Sequence, residues 1–555
     1  MRSVCLSLIL GITIFGLFSS LPASDQQYAV GIVYNDLNQN RHFDPSEKGI
    51  PNVRISNGRD IVLTNELGKY RIPIEEGMTL FVIKPTGWTT PFDTNNFPLF
   101  YYIYKPNGSP KTKYPGSEPT GPLPASIDFP LYQQQELNQF KAIFFGDIQV
   151  ARPQDINYFA HEVVEELIGT DAKFIMTLGD NAGNTLSLYP DLKSTCGVIG
   201  RPFYFVKGNH DTNYDVASTK NTRETYTRYF GPSYYSFDYG KVHLIALDNI
   251  QWLSQPGENV SRNYLDGLDP DQLEFFKNDI NLVPPDYLIV LAMHIPIHGT
   301  NQAISTLLTG SENTSNDINS VLRLIKRRLS KGIVETSEIL PLLKDHPKVF
   351  AIAGHEHVMS SRFLTRKDGW LGTEPVYHLI NGTVCGSWWR GVKDEVGMPI
   401  PIMADGAPNG YSIITFTDNQ YAIEYKAVKR PLSYQMTIFA PDEITVDQMT
   451  ATEIIVNIFA GSTKSKVEFR IEHKTDWLPM QKVAMEDPYY LLLKKPDDEQ
   501  TKTGWQRLPE PKISKHIWRA TLPDLSGEKG SKLITVRTRD IFGHTYTATR
   551  VITIK

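Results

Sequence analysis

FKAIFFGDIQV, residues 140–150, decides the fold of this chain. An apolar run broken only by Lys141 stops at a Gly-Asp step, as when a buried strand delivers a carboxylate at its end. The same pattern returns in FIMTLGDN (174–181), FYFVKGNHD (203–211), LIVLAMHIP (288–296) and VFAIAGHEH (349–357). One Gly-Asp step alone is usually a turn; the series is not. Strands are expected at 142–145, 174–178, 203–206, 242–247, 288–292 and 349–353, with an amphipathic helix near 155–168. Buried strands alternating with helices make an α/β unit, and ligands of such sheets gather beyond the carboxyl ends of the strands. The islands, distant in sequence, are therefore expected to meet in space.

Outward from this middle domain, placed at 138–428, the pattern changes. Residues 25–134 alternate apolar and polar positions in short runs and read as an N-terminal β-sandwich, with six prolines between Pro106 and Pro124 marking an extended loop. Residues 431–555 return to short β runs, a C-terminal all-β domain. At 555 residues the chain exceeds one core, and its 41% hydrophobic and 21% charged content is ordinary for a globular protein. A net charge of −5 without long basic runs excludes a nucleic-acid scaffold as partner, though not a nucleotide substrate.

Arg2, the apolar run 4–18 and the small residues SSLPAS at 19–24 read as a signal peptide of residues 1–24. The expected location is periplasmic, extracellular or cell-surface, with an uncleaved anchor as the other reading. No other stretch is long enough to cross a bilayer, so no transmembrane helix is expected in the mature chain. Beyond that segment only Cys196 and Cys385 remain, and whether they pair is open.

The islands carry metal-ligand chemistry. Two divalent ions about 3.5 to 4 Å apart can clamp a phosphoryl centre and lower the pKa of a water, provided one carboxylate bridges them. Asp180 is the candidate bridge; Asp147 and His357 would complete one ion, and Asn209, His294 and His355 the other. Imidazole with carboxylate and amide oxygen suits Zn, Mn or Fe, without choosing among them. His210 follows a ligand and is better placed to donate a proton or hydrogen bond to substrate, with Asp211 available to orient its ring. His161, His243, His298, His346 and His378 read as structural or surface residues, His298 being the one to watch.

Taken together, the islands resemble the calcineurin-like metallophosphoesterase family, whose pattern of GDxH, GDxx, GNHD/E, a single His and GHxH is matched in order over roughly residues 140–380. The resemblance implies a sandwich of two mixed sheets with flanking helices, a dinuclear centre and attack by a metal-bound hydroxide. It also implies hydrolysis of phosphate monoesters or diesters on a small-molecule, nucleotide, sugar or lipid substrate. One position departs: Gln149 stands where the pattern has His, and an amide oxygen is the weaker ligand. Gln149 keeps a rival reading open, a surface binding protein with a degenerate site. SWWRG (387–391) and DGAPNGY (405–411) are similar to a secreted bacterial branch with flanking β-domains.

Two flanking features have double readings. Trp388, Trp389 and Arg390 either wall a substrate pocket or pack domains together. Asp36, Asn38, Asn40, Asp44 and Glu47 occupy positions 1, 3, 5, 9 and 12 of a calcium loop, His42 offering its carbonyl at position 7 and Arg41 standing where Gly is usual. A polar turn without metal is the alternative.

Overall fold

Gln139–Phe145 is the middle strand of a five-stranded sheet ordered Phe203–Tyr204, Phe174–Thr177, Gln139–Phe145, Gly410–Thr417, Gln420–Ala427. The first three strands are parallel, and the last two form an antiparallel hairpin against them. This computed structural model describes residues 26–216, 219–252, 264–298, 325–472, 475–501, 503–524 and 528–555. The expected export segment, residues 1–24, lies outside the described residues. A second sheet of six strands runs Tyr235–Tyr239, Val242–Ala246, Leu288–Ala292, Val349–Ala353, Val376–Ile380, Ser360–Leu364, parallel inside and antiparallel at both edges.

The two-residue period of a strand decides what each face meets. Ala142 and Phe144 of the first sheet share one buried cluster with Leu244, Ala246, Val290 and Ala292 of the second. The opposite faces pack on helices: Ile143 and Phe145 with Phe159, Leu167 and Leu192, and Ile245, Ile289 and Leu291 with Phe276 and Ile280. The expected helix near 155–168 forms over residues 153–167, with a π-helical segment Ala160–Val164 between two α-helical parts. Pro153 starts it, where a missing N–H costs nothing, and Asp155 accepts the orphan N–H groups of Ala151 and Arg152 at 3.0 Å each.

The N-terminal segment forms two sheets of short strands, one built around Tyr28–Asn35 and the other around Arg54–Ser56 and Thr79–Ile83. Its core is not separate: Val33, Ile55, Ile72, Leu80 and Phe81 belong to the cluster that fills the space between the central sheets. Phe81 meets Phe275 edge-on at 5.7 Å. Beside this contact Arg54 pairs with Asp238 and, at 3.3 Å, with Asp279. His243 lies between those carboxylates, Nδ1 2.6 Å from Asp238 and Nε2 2.9 Å from Asp279. The expectation of a structural role for His243 thus has a concrete partner set.

The C-terminal segment holds a four-stranded and a five-stranded sheet over a core that includes Val456, Phe469, Trp518 and Val536. It is not all-β. Pro488–Asp498 is an α-helix, started by Asp487, whose side chain accepts from Tyr490 N–H, and by Pro488 at the first turn. Short apolar runs do not distinguish such an inserted helix from a strand. The insertion lies against the central domain, with Leu508 and Tyr490 buried beside Ile402 and Ala404. Nearby, Asp405 Oδ2 accepts Met359 N–H at 2.7 Å and lies 2.9 Å from His516 Nε2 of the C-terminal segment.

Among the described residues no helix is long and apolar enough to cross a membrane.

Candidate metal centre

Four strands of the central sheets each hand the chain to a loop that supplies one or two of the candidate ligands. Asp147 and Gln149 follow Gln139–Phe145, Asp180 follows Phe174–Thr177, His294 follows Leu288–Ala292, and His355 and His357 follow Val349–Ala353. Gln149, Asp180, His355 and His357 have φ of 45°, 51°, 74° and 49°, the left-handed region that turns a side chain back toward the sheet ends. The glycines ahead of the ligands make room for neighbouring ones. A Cβ on Gly208 would sit 2.1 Å from Asp180 N and Oδ1, and one on Gly354 would sit 2.4 Å from Asp147 Oδ1.

Asp180, His294 and His355 each offer an atom within 4.8 Å of the others. His294 Nδ1 lies 2.8 Å from the carbonyl of Leu178, which can only accept, so Nδ1 keeps its proton and Nε2 is the nitrogen that can offer a lone pair to a cation. That nitrogen faces Asn209 Oδ1 at 2.9 Å, His355 Nδ1 at 3.1 Å and Asp180 Oδ2 at 3.3 Å. Four acceptor atoms pointed at one another, with Asp180 and His294 fully or nearly buried, fit a cation between them.

A second cluster adjoins the first. His357 Nδ1 donates to the Gly386 carbonyl at 2.8 Å, which leaves Nε2 facing Asp147 Oδ2 at 3.2 Å. Asp147 is fully buried and Oδ2 has no hydrogen-bond partner, while Oδ1 accepts His355 N–H at 2.9 Å and so ties the clusters together. Gln149 Nε2 stands 3.4 Å from Asp180 Oδ2, and Cys385 Sγ lies 4.0 Å from Gln149 Oε1 and 3.8 Å from His357 Nδ1. All seven residues read as ligands from the sequence are therefore together.

The electrostatics agree. Burial alone would lower the pKa of His294, but the charges of Asp180 and Asp147 outweigh it and lift the group to about 9. Burial would raise Asp180, yet the imidazoles of His294 and His210 hold it well below the usual carboxylate range. Burial, reinforced by His294, pushes His355 down to about 3 and keeps it a neutral donor of its lone pair. Without a cation this site holds protons, so loading it with metal must release them.

The structure corrects one side-chain role. Asp211 does not orient His210. It is fully buried and accepts from Gly208 N, Asn181 N, Asn181 Nδ2, Ala182 N and Tyr189 OH at 2.9 to 3.1 Å, tying the 178–181 and 208–211 loops together. The partner of His210 is Asn184, whose Oδ1 lies 2.7 Å from Nδ1; Nε2 then faces the cluster, 3.9 Å from Asp180 Oδ2. SWWRG divides: Trp389 is buried and donates its indole N–H to Ile148 O at 3.0 Å, a packing role, whereas Trp388 stacks on His357 at 4.2 Å with the Arg390 guanidinium 5.2 Å above its ring. His298 lies outside the centre, its Nδ1 2.8 Å from Arg362. Cys196 and Cys385 are both buried and unpaired with each other.

Asn184, the carbonyls of Leu178 and Gly386, and Cys385 escaped the sequence reading because none sits in a ligand pattern; only the fold brings them near.

Comparison with known proteins places these observations. The structure of a purple acid phosphatase from yellow lupin (Lupinus luteus) aligns at 13% identity, TM-score 0.34, over 68% of this chain and 67% of its own. An endo-β-1,4-mannanase from Thermotoga petrophila aligns at 10% identity, TM-score 0.22, over 74% of this chain and 98% of its own. Superpositions this loose establish no common fold. No curated protein matches the sequence. The model of the calcineurin-like phosphoesterases matches residues 140–359, that of the N terminal of calcineurin-like phosphoesterase matches 38–114, and that of the C terminal matches 378–546. With those three segments matched in order along one chain, the protein belongs to the calcineurin-like phosphoesterases.

Proposed function

We propose that this metal-dependent phosphoesterase is a dinuclear hydrolase of phosphate monoesters or diesters, built on a sandwich of the two central sheets. The observation that carries the proposal is the convergence of Asn209 Oδ1, His355 Nδ1 and Asp180 Oδ2 on His294 Nε2, a buried set of atoms that can all offer lone pairs once His294 has given up its second proton. Asn209, His294 and His355 would hold one ion and Asp147, Gln149 and His357 the other, Asp180 bridging, with Zn, Mn or Fe suited to the donors. When bound, such ions supply Lewis acidity toward phosphoryl oxygens and lower the pKa of a water.

The chain's own groups do the rest. Asn184 fixes the His210 ring by accepting from Nδ1 and leaves Nε2 facing the cluster, where the ring, when it carries both protons, can donate to the departing alkoxide or to a phosphate oxygen. Arg390 Nε is buried without a partner, a donor free for phosphate, and Trp388 offers a flat apolar face to an organic leaving group. The apolar run at 4–18 supports export as part of the same reading.

The test is metal content and hydrolysis of a chromogenic phosphate ester, after reconstitution with Zn, Mn or Fe, for the native chain and for Asp180→Asn. Two ions with turnover in the native protein, and loss of most metal and nearly all rate in the variant, are expected. No bound metal and no turnover with any ion would favour the degenerate binding protein instead.

A further inference from the structure

Far from the metal centre in sequence, the segment 36–47 links Tyr28–Asn35 to Lys48–Gly49 and carries three carboxylates. Asp36 is 2% exposed and Glu47 6%. Among the described residues no ion pair reaches Asp36, Asp44 or Glu47, and the guanidinium of Arg41 donates to Phe92 O at 2.8 Å. Buried carboxylates without a counter-charge are costly. Asp36 Oδ2 accepts Arg41 N–H at 2.9 Å, which turns the carboxylate into the loop, yet its Oδ1 is buried with no partner at all.

From this orphaned oxygen, together with the spacing of the other donors, we infer that residues 36–47 form a separate calcium site. Asp36, Asn38, Asn40, Asp44 and Glu47 bring side-chain oxygens, and His42 brings a main-chain carbonyl, an oxygen set suited to a hard cation of flexible geometry. Arg41, at the position where glycine is usual, has φ 63°, so the sharp turn needed there is made despite its side chain. Asn38 and Asn40 already converge on Asp44, their Nδ2 atoms 2.8 and 2.9 Å from Oδ2. The three carboxylates are not drawn to the ligand spacing of the Asp180 trio; Glu47 instead accepts Leu37 N–H at 2.8 Å and Asp44 N–H at 3.1 Å. An ion at the centre would draw Glu47 and Asp44 inward. This inference is independent of the chemistry at the metal centre.

Terbium tests it, because Tyr34 is buried two residues before Asp36, with Phe43 of the loop edge-on to it at 5.2 Å, and can sensitise the ion's emission. The full chain, stripped with chelator, is titrated with terbium under tyrosine excitation and then challenged with calcium or magnesium. Sensitised emission that calcium displaces and magnesium does not is expected, retained in Asp180→Asn and lost in Asp36→Ala. Asn40→Ala, at an exposed position, guards against misfolding of the Asp36 variant and should weaken calcium in the displacement assay. Emission absent from the native chain, unchanged in both loop variants, or lost only in Asp180→Asn would overturn the inference.

Discussion

His243→Gln is expected to remove one identifiable part of the alkaline loss of stability in this protein. His243 is fully buried and touches two carboxylates, Asp238 at 2.6 Å and Asp279 at 2.9 Å. Burial alone would lower its pKa, but those carboxylates outweigh burial and raise it from 6.5 to about 9. A folded-state pKa above the unfolded one gives stability that is fully present below pH 6.5 and is lost as pH rises through 9. Each pH unit between these values is worth about 1.4 kcal/mol, so the loss across the window is about 3 kcal/mol. Asp238 works at the other end: burial opposes it, but Arg54 and His243 hold it down to about 2, so its contribution is present above the usual aspartate pKa and lost only as pH falls toward 2. The assay is thermal unfolding of the native chain and of His243→Gln in matched buffers from pH 6 to 9. The stability difference between them should shrink by about 3 kcal/mol over that range, other titrations cancelling in the comparison. A difference that stays constant, or grows with pH, would refute the charged-imidazole account of this cluster.

Three further outcomes are expected. His210→Gln should keep the metals yet lower kcat by about 10² to 10⁴ for esters with poor leaving groups, and much less for activated ones, measured by steady-state kinetics on both. Equal losses on the two esters would show that His210 stabilises charge instead. Asp211→Asn places a donor against donors from Gly208, Asn181, Ala182 and Tyr189, so it should cost about 1 to 3 kcal/mol of stability and weaken metal retention together; a change in kcat alone would restore the role of orienting His210. Gly208→Ala should strip metal, read by elemental analysis, since its Cβ would stand 2.1 Å from Asp180 N and Oδ1.

The central strands and their terminal islands were legible because burial on both faces leaves apolar runs, and because strand ends in such sheets converge. Six candidate ligands followed from those islands, and Gln149 from the family pattern they resemble. The orientation of those ligands was not legible: the proton on His294 Nδ1 is set by a carbonyl 116 residues away in sequence. Asp211 was misassigned because adjacency to His210 suggested contact, whereas its carboxylate is taken up by the N–H groups of Gly208, Asn181 and Ala182 and the Tyr189 hydroxyl. His243 was read as structural from the absence of a motif, but its carboxylate partners and Arg54 come from three elements that no local pattern connects. The helix Pro488–Asp498 was hidden in a run of Tyr and Leu that strand and helix both accept.

Asp405 gives the C-terminal segment a hold on the catalytic loops. Its Oδ2 takes both the Met359 N–H, two residues beyond His357, and the imidazole of His516, while its carbonyl accepts Asn457 Nδ2 at 3.1 Å. Lys512 adds a hydrogen bond to Glu356 O at 2.9 Å, between the two histidines of the GHEH island. The central domain is therefore not a portable module. A chain cut after Ala427 would keep every ligand and still lose the brace behind His355 and His357. Transplanting this centre onto another scaffold requires carrying the brace along with it.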